Sequence, residues 1–263
     1  MKPVILIILA VLTVRVHAQI VNVDRQFSPD SVFNNWSFTG NFSFSSDKQR
    51  NNVLDISSNM ELARHFRNNY TVFTILRNET VFYGKKSIQD EGQFQIRLRD
   101  RDSRKFSIES YLQYQWNGAW GMEYRYVAGS NLRTKIFDKE SSDMYLGTGV
   151  FGEWERWNWK GVKPEKVPPD ATDITAHTFR LNAYAKYSRK VTEHIDISAV
   201  SYSQFPLDNR FLNPRWYMEA KVFVRASRHL SLVFHWDHIY DNRRLVPIDR
   251  FYYTVSTGVQ LNF

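Results

Sequence analysis

The chain has 263 residues and a formal net charge of +8, and its mean hydropathy of −0.48 excludes a bundle of transmembrane helices. It contains no cysteine, which excludes disulfide bridges and a lipid-modified cysteine anchor. Aromatic residues reach 16%, a fraction typical of a barrel that is polar inside and carries aromatic girdles at both membrane interfaces.

The N-terminus has the plan of a secretory signal peptide. Lys2 precedes an apolar run from Val4 to Val14, and the small residue Ala18 ends a cleavage motif that begins at Val16. The run holds about eleven residues, whereas a membrane-spanning helix needs ~20. We therefore predict a signal peptide at residues 1–18, a short periplasmic lead-in at 19–33 and a barrel at 34–263. Export also argues against nucleic acid as the partner of this basic chain.

Beyond residue 33, apolar and polar residues alternate with a period of two, which predicts β-strands and almost no helix. The third predicted strand is apolar on both faces and glycines interrupt the seventh, so ten strands stay an alternative to twelve. In chain order, the predicted strands contain or span Asn34–Ser46, Asn52–Ala63, Tyr70–Leu76, Phe94–Leu98, Phe106–Trp116, Tyr124–Ile136, Asp143–Trp157, Phe179–Tyr187, Ile195–Ala199, Arg215–Arg225, Leu230–Asp237 and a last strand that begins near Arg250.

The connections between these strands are short on one side and mostly longer on the other. Short periplasmic turns and long outer loops are the expected asymmetry of an outer-membrane barrel. The predicted outer loops are Arg77–Glu91, Asn158–Ile174, Pro206–Asn213 and Asp241–Asp249. The predicted fold class is therefore all-β, a transmembrane antiparallel up-and-down β-barrel.

The last strand ends on an aromatic residue and alternates throughout. Every second residue from Phe251 to Phe263 lies on one face, which we assign to lipid. The pattern of Ser256, Gly258, Leu261 and Phe263 resembles the C-terminal signal that the bacterial barrel assembly machinery recognises. We therefore expect that machinery to be a partner.

Charged residues recur on the polar face of most strands, which we assign to the lumen. In a small barrel such charges pair across strands and fill the interior, and this is the interpretation we favour. The alternative is a narrow, weakly anion-selective porin or small-solute channel whose charged rings set selectivity. The candidate lumen residues are Arg97, Arg99, Glu109, Glu123, Arg125, Arg180, Lys186, Glu219, Lys221 and Arg225.

The sequence gives little support to catalysis or metal binding. His235 and Asp237 share the polar face of one strand, but residues two apart on a strand need a nucleophile from elsewhere. An outer-membrane lipid-modifying enzyme is thus the least favoured alternative. No spacing typical of a zinc or calcium site occurs, so we predict no enzyme, no metal and no cofactor.

The order of motifs resembles the salt-induced outer-membrane protein family, a group of barrels of unknown function. The resemblance rests on residues 40–44, on the strand from Asp55 to Glu61, on residues 120–126, on residues 147–153 and on the C-terminal strand. It implies the fold and an outer-membrane location, and it implies no reaction. We expect a structural or stress-related role for the barrel. We expect a monomer in contact with outer-membrane lipids and lipopolysaccharide, whose phosphates suit the positive charge.

Overall fold

The computed structural model describes residues 36–48, 52–66, 70–100, 105–242 and 244–262. The predicted signal peptide, the lead-in at 19–33 and Phe263 lie outside the described residues. Within the described part, no helix is long and apolar enough to cross a membrane.

Twelve antiparallel strands follow one another in chain order around a barrel, which confirms the predicted fold class and the count of twelve. A single 3-10 turn at Pro164–Lys166 interrupts the longest described loop. The strands are β1 Trp36–Lys48, β2 Asn52–His65, β3 Tyr70–Tyr83, β4 Lys86–Asp100, β5 Phe106–Asn117, β6 Met122–Lys139, β7 Ser142–Trp157, β8 Ile174–Lys190, β9 Ile195–Pro206, β10 Arg215–Arg225, β11 Leu230–Asp241 and β12 Phe251–Asn262.

The alternation read from the sequence divides the barrel wall into an apolar outer face and a polar inner face. On β5, the outward Leu112 is 62% exposed while the inward Gln113 is 4% exposed. Because successive side chains of a strand point to opposite faces, a strand in which every second residue is polar has a polar inner face. The exposed apolar face suits lipid, and the buried polar face forms a lumen packed with side chains.

The two rims of the barrel differ in their connections. One rim, here the short-turn rim, carries the connections from β2 to β3, β4 to β5, β6 to β7, β8 to β9 and β10 to β11, together with the end of β12. The other rim, here the long-loop rim, carries the loops at residues 158–173, 207–214 and 242–250. These three agree with the predicted long loops.

The predicted loop Arg77–Glu91 is wrong. β3 continues to Tyr83 and β4 starts at Lys86, joined by a tight turn in which Gly84 has a φ of 62°. The polar residues of this stretch point into the lumen, where Glu79 lies opposite Glu91 and both are buried. Polarity therefore marks the inner face of a strand here, and it does not mark a loop.

The barrel is closed unevenly at the seam where β1 meets β12. β1 pairs with β2 along its whole length, and β12 pairs with β11 from Phe251 to Leu261. Between β1 and β12 the register contains only Thr39–Asn262 and Gly40–Leu261, both next to the short-turn rim. From there towards the long-loop rim the two strands separate.

Candidate functional site: the filled lumen

A cluster of buried charges crosses the lumen in the half nearer the long-loop rim. Its centre is Glu153 on β7, which is 1% exposed and accepts hydrogen bonds from Arg125 (Nε, 2.9 Å), Arg180 and Arg215 (Nη1, 3.3 Å). Glu155 lies 3.3 Å from Arg125 Nε, and Asp241 accepts from Arg215 at 2.8 Å. We call these six residues the Glu153 cluster, in which three guanidinium groups meet three carboxylates.

A second cluster lies nearer the short-turn rim around Glu109, which is fully buried. Glu109 pairs with Arg99 at 2.5 Å and accepts a hydrogen bond from the Tyr184 hydroxyl at 2.9 Å. The Arg133 guanidinium lies 3.8 Å from the same carboxylate and 3.5 Å from the centroid of the Tyr145 ring. Charge pairing and ring contacts together fix these cations in place.

In the same half of the lumen, Arg97 begins a chain of hydrogen bonds through side-chain amides. It donates to Gln95 at 2.9 Å, and Gln95 donates to Gln113 at 2.7 Å across the strand pair. Gln113 in turn contacts Gln115 on the same strand. Amide ladders of this kind satisfy polar groups that no water reaches.

A third cluster gathers around Glu219 on β10. Lys221 Nζ donates to it at 2.8 Å and the Tyr217 hydroxyl at 3.1 Å, while His235 Nε2 lies 3.1 Å from Glu219 and 3.4 Å from Asp237. Ser256 sits opposite His235 in the β11–β12 register, but no hydrogen bond joins the two side chains. The arrangement brings a histidine to carboxylates without an activated nucleophile.

An apolar and aromatic layer of buried side chains lies alongside these charges and extends to the long-loop rim. Its lumen members include Tyr184, Tyr202 and Tyr217, whose rings follow one another at centroid distances of 5.5 and 6.0 Å. The loops add Val162 and Val246, which are buried against the same layer. The interior is thus closed by packing as well as by charge.

At the long-loop rim, an arginine from the last loop covers this layer. The Arg244 guanidinium lies 4.3 Å from the Trp120 ring centroid and 4.7 Å from that of Tyr252. The two rings are themselves 4.8 Å apart. Removal from water lowers the pKa of Arg244 to about 10, and the ring contacts compensate for part of its lost hydration.

The structure places most of the predicted lumen residues inside the barrel. Arg97, Arg99, Glu109, Arg125, Arg180, Glu219 and Lys221 are buried there, and Lys186 and Arg225 are half-buried towards the short-turn rim. Arg225 hydrogen-bonds Asp196 on the neighbouring strand. Among the residues that the structure describes, these charges are gathered into separate clusters and form no continuous ring of arginines.

Glu123 is the predicted lumen residue that the structure places elsewhere. The β6–β7 register shifts between Met122 and Tyr124, and the β5–β6 register shifts opposite, between Gln115 and Asn117. Glu123 is therefore exposed at the long-loop rim. There it pairs with Arg156 at 3.0 Å and accepts from Asn158 at 3.0 Å. A bulge changes the face of a residue, and strict alternation cannot reveal it.

The three carboxylates of the Glu153 cluster were not among the predicted lumen residues; they are Glu153, Glu155 and Asp241. The first two lie on β7, whose alternation is obscured by glycines. At Gly147 a Cβ would lie 1.9 Å from the Tyr184 ring, so the glycine leaves room for that ring to reach Glu109. The spacing of Glu153, Glu155 and Trp157 by two was the available signal.

The C-terminal strand shows the predicted two faces over its described part. Phe251, Tyr253, Val255 and Val259 are exposed, whereas Thr254 and Gln260 are buried. Ser256 and Gly258 share the inner face, and Leu261 pairs with Gly40 at the seam. Recognition of these residues by the assembly machinery stays a prediction.

No group of three or more His, Asp or Glu side chains among the described residues is arranged to hold a metal ion.

Comparison with known proteins finds solved structures with a similar architecture. One similar solved structure is the NanC porin, with 7% sequence identity and a TM-score of 0.50; the match covers 87% of this chain and 99% of the porin. Another is the translocator domain of the autotransporter NalP from Neisseria meningitidis, with 10% identity and a TM-score of 0.50; the match covers 89% of this chain and 90% of that domain. The fold is that of the outer-membrane β-barrels. No family model and no curated protein matches the chain, so its resemblance to the salt-induced family stays a prediction.

Proposed function

We propose that this protein is a monomeric outer-membrane β-barrel with a structural or stress-related role, and that its largely filled lumen does not conduct ions. The single observation that carries the proposal is the burial of the lumen charges in paired clusters. Arg97 is 2% exposed and Arg125 is 1% exposed. A selectivity ring has to meet the hydrated ion, and these cations meet carboxylates and amides.

The apolar layer supports the same conclusion. An ion path along the barrel axis would have to pass Tyr202 and Tyr217, which are at most 2% exposed, and then the loop residues Val162 and Val246. Dehydrating an ion in such a layer is costly. The packing therefore favours a filled lumen over a channel.

The location and partners belong to the same proposal. The exposed apolar wall suits a bilayer, and the long-loop rim would face the outside after export through a cleaved signal peptide. Outer-membrane lipids, lipopolysaccharide and the barrel assembly machinery are the partners we propose. The stress-related part of the role rests on the resemblance to the salt-induced family, and the proposal assigns no reaction.

Conductance of the refolded barrel in a planar bilayer tests the proposal. We expect no steady current under conditions in which a porin conducts in the same bilayer. Heat-modifiable gel mobility serves as the control that the silent protein is folded. A steady anion-selective current would instead support the narrow channel and contradict the filled lumen.

A further inference from the structure

The seam between β1 and β12 leaves two strand edges without a partner in the barrel wall. Continued past Gly40–Leu261, the register would bring Phe44 opposite Thr257, but the strands do not pair there. Phe42 and Phe44, on the outer face of β1, are 66% and 72% exposed. Unsatisfied backbone groups cost several kcal/mol each in hydrocarbon, so this gap needs polar atoms from outside the barrel wall.

Several inner positions behind this gap are exposed or half-exposed. Gly258 on β12 has the inner-face parity, yet it is exposed and a Cβ added there would meet nothing within 4 Å. Half-exposed inner positions occupy the strands on both sides of the gap. We call the space that they line the seam pocket, formed by Asp55, Ser57, Asn59, Arg77, His235, Ser256 and Gly258.

The two sides of the seam pocket lie close together across the lumen. Arg77 stands on β3, yet its charge acts on Tyr217, Glu219 and His235 of β10 and β11. The strands that lie between β3 and β11 around the wall are β2, β1 and β12, which include the gap. The pocket is therefore directly behind the opening.

Two charged side chains of opposite sign reach this pocket with a shielded polar atom to which no described residue hydrogen-bonds. Arg77 interacts electrostatically with Glu219 across the lumen, but its Nε is shielded from water and has no hydrogen-bond partner among the described residues. Asp55 likewise has no partner among the described residues, and its Oδ1 is shielded. They do not neutralise each other, because β2 and β3 place Asp55 beside Val81 and Arg77 beside Asn59. Shielded polar atoms without hydrogen-bond partners are unfavourable unless a ligand supplies the partners.

We propose that the gap is a lateral portal and that the seam pocket binds the head group of a zwitterionic phospholipid. Arg77 binds the phosphate through its planar guanidinium, and Asp55 accepts from the head-group ammonium. The acyl chains stay in the bilayer against Phe42 and Phe44. This site lies beyond the filled lumen and depends on the membrane placement proposed above.

Competition between two lipids tests the site. The folded barrel, purified in detergent, is given equal amounts of phosphatidylethanolamine and phosphatidylglycerol, and retained lipid is measured by native mass spectrometry. We expect one bound phosphatidylethanolamine, favoured about tenfold. Arg77→Gln should lower its retention about tenfold, and Asp55→Asn should remove the preference between the two lipids while phosphate binding persists.

Arg189→Gln, an exposed change on the short-turn rim, is the matched control and should leave retention unchanged. Heat-modifiable mobility of every variant separates loss of the site from loss of the barrel itself. Equal retention of both lipids by the unmodified protein, or retention unaffected by Arg77→Gln, would overturn the proposal. A dimer without bound lipid would do the same, since it would assign the open edges to a second copy of the chain.

Discussion

Buried charges are tolerated in the Glu153 cluster because each meets opposite charge. Glu153 meets three guanidinium groups, and neighbouring strands hold them in place through the register from β6 to β10. Removing water from such ions is costly, and only close pairing compensates for that cost. The wild-type cluster therefore contributes specificity to the packing even where its net stability is modest.

Replacing the central carboxylate should show this dependence. Glu153→Gln leaves Arg125, Arg180 and Arg215 with two carboxylates, and we expect the free energy of unfolding to fall by about 3–5 kcal/mol. Urea unfolding in lipid vesicles, followed by tryptophan fluorescence, measures the change. Glu165→Gln on the exposed long loop is the control and should lie within about 0.5 kcal/mol of wild type. Equal stability of the two variants would show that the Glu153 cluster is not a structural requirement.

At the level of strands, the sequence predicted which segments form strands, but it did not predict where every strand begins and ends. Alternation placed β5, β10 and β12 correctly because the outer face of each strand is apolar and exposed, whereas the inner face is polar and lines the lumen. The β3–β4 hairpin was missed because its inner face carries Glu79, Gln89 and Glu91 close to the turn. Because charged residues can line the lumen, a strand of this barrel can be as polar as a loop, and polarity alone does not distinguish the two.

The divergence of β1 and β12 can be measured with introduced cysteines, since the chain has none of its own. The pair Thr39→Cys with Asn262→Cys should cross-link on oxidation, because the two positions are partners in the register. The pair Phe44→Cys with Thr257→Cys should remain reduced, because the strands have separated there. Non-reducing gels of the folded barrel report both. Efficient cross-linking of the second pair would show a seam closed along its length.

For the whole molecule, closure of the barrel decides which residues meet. β10 and β6 are far apart in sequence, yet Arg215 and Arg125 share the carboxylate of Glu153. The same closure brings three loops to one rim, where Val162 and Val246 complete the apolar layer. The asymmetry of the rims is the basis for the direction across the membrane that we propose.

Single cysteines can test that direction. Lys163→Cys on the long-loop rim should react with a membrane-impermeant maleimide in intact cells. Lys190→Cys, equally exposed but on the short-turn rim, should react only after the outer membrane is permeabilised. Mass-shift gels measure both reactions. The reverse pattern would place the long loops in the periplasm and contradict the proposed orientation.

The sequence by itself determined the strands, their apolar and polar faces and the fold class, because these depend on a period of two that is local to each strand. It also indicated that Arg97, Arg99, Arg125 and Arg180 point inwards. Only the tertiary structure decided their partners, since Glu153, Glu155 and Asp241 meet them across a closed wall. It alone decided the outward turn of Glu123 at a bulge and the open seam beside Gly258. Pairing, bulges and closure arise between strands, and no alternation within one strand records them.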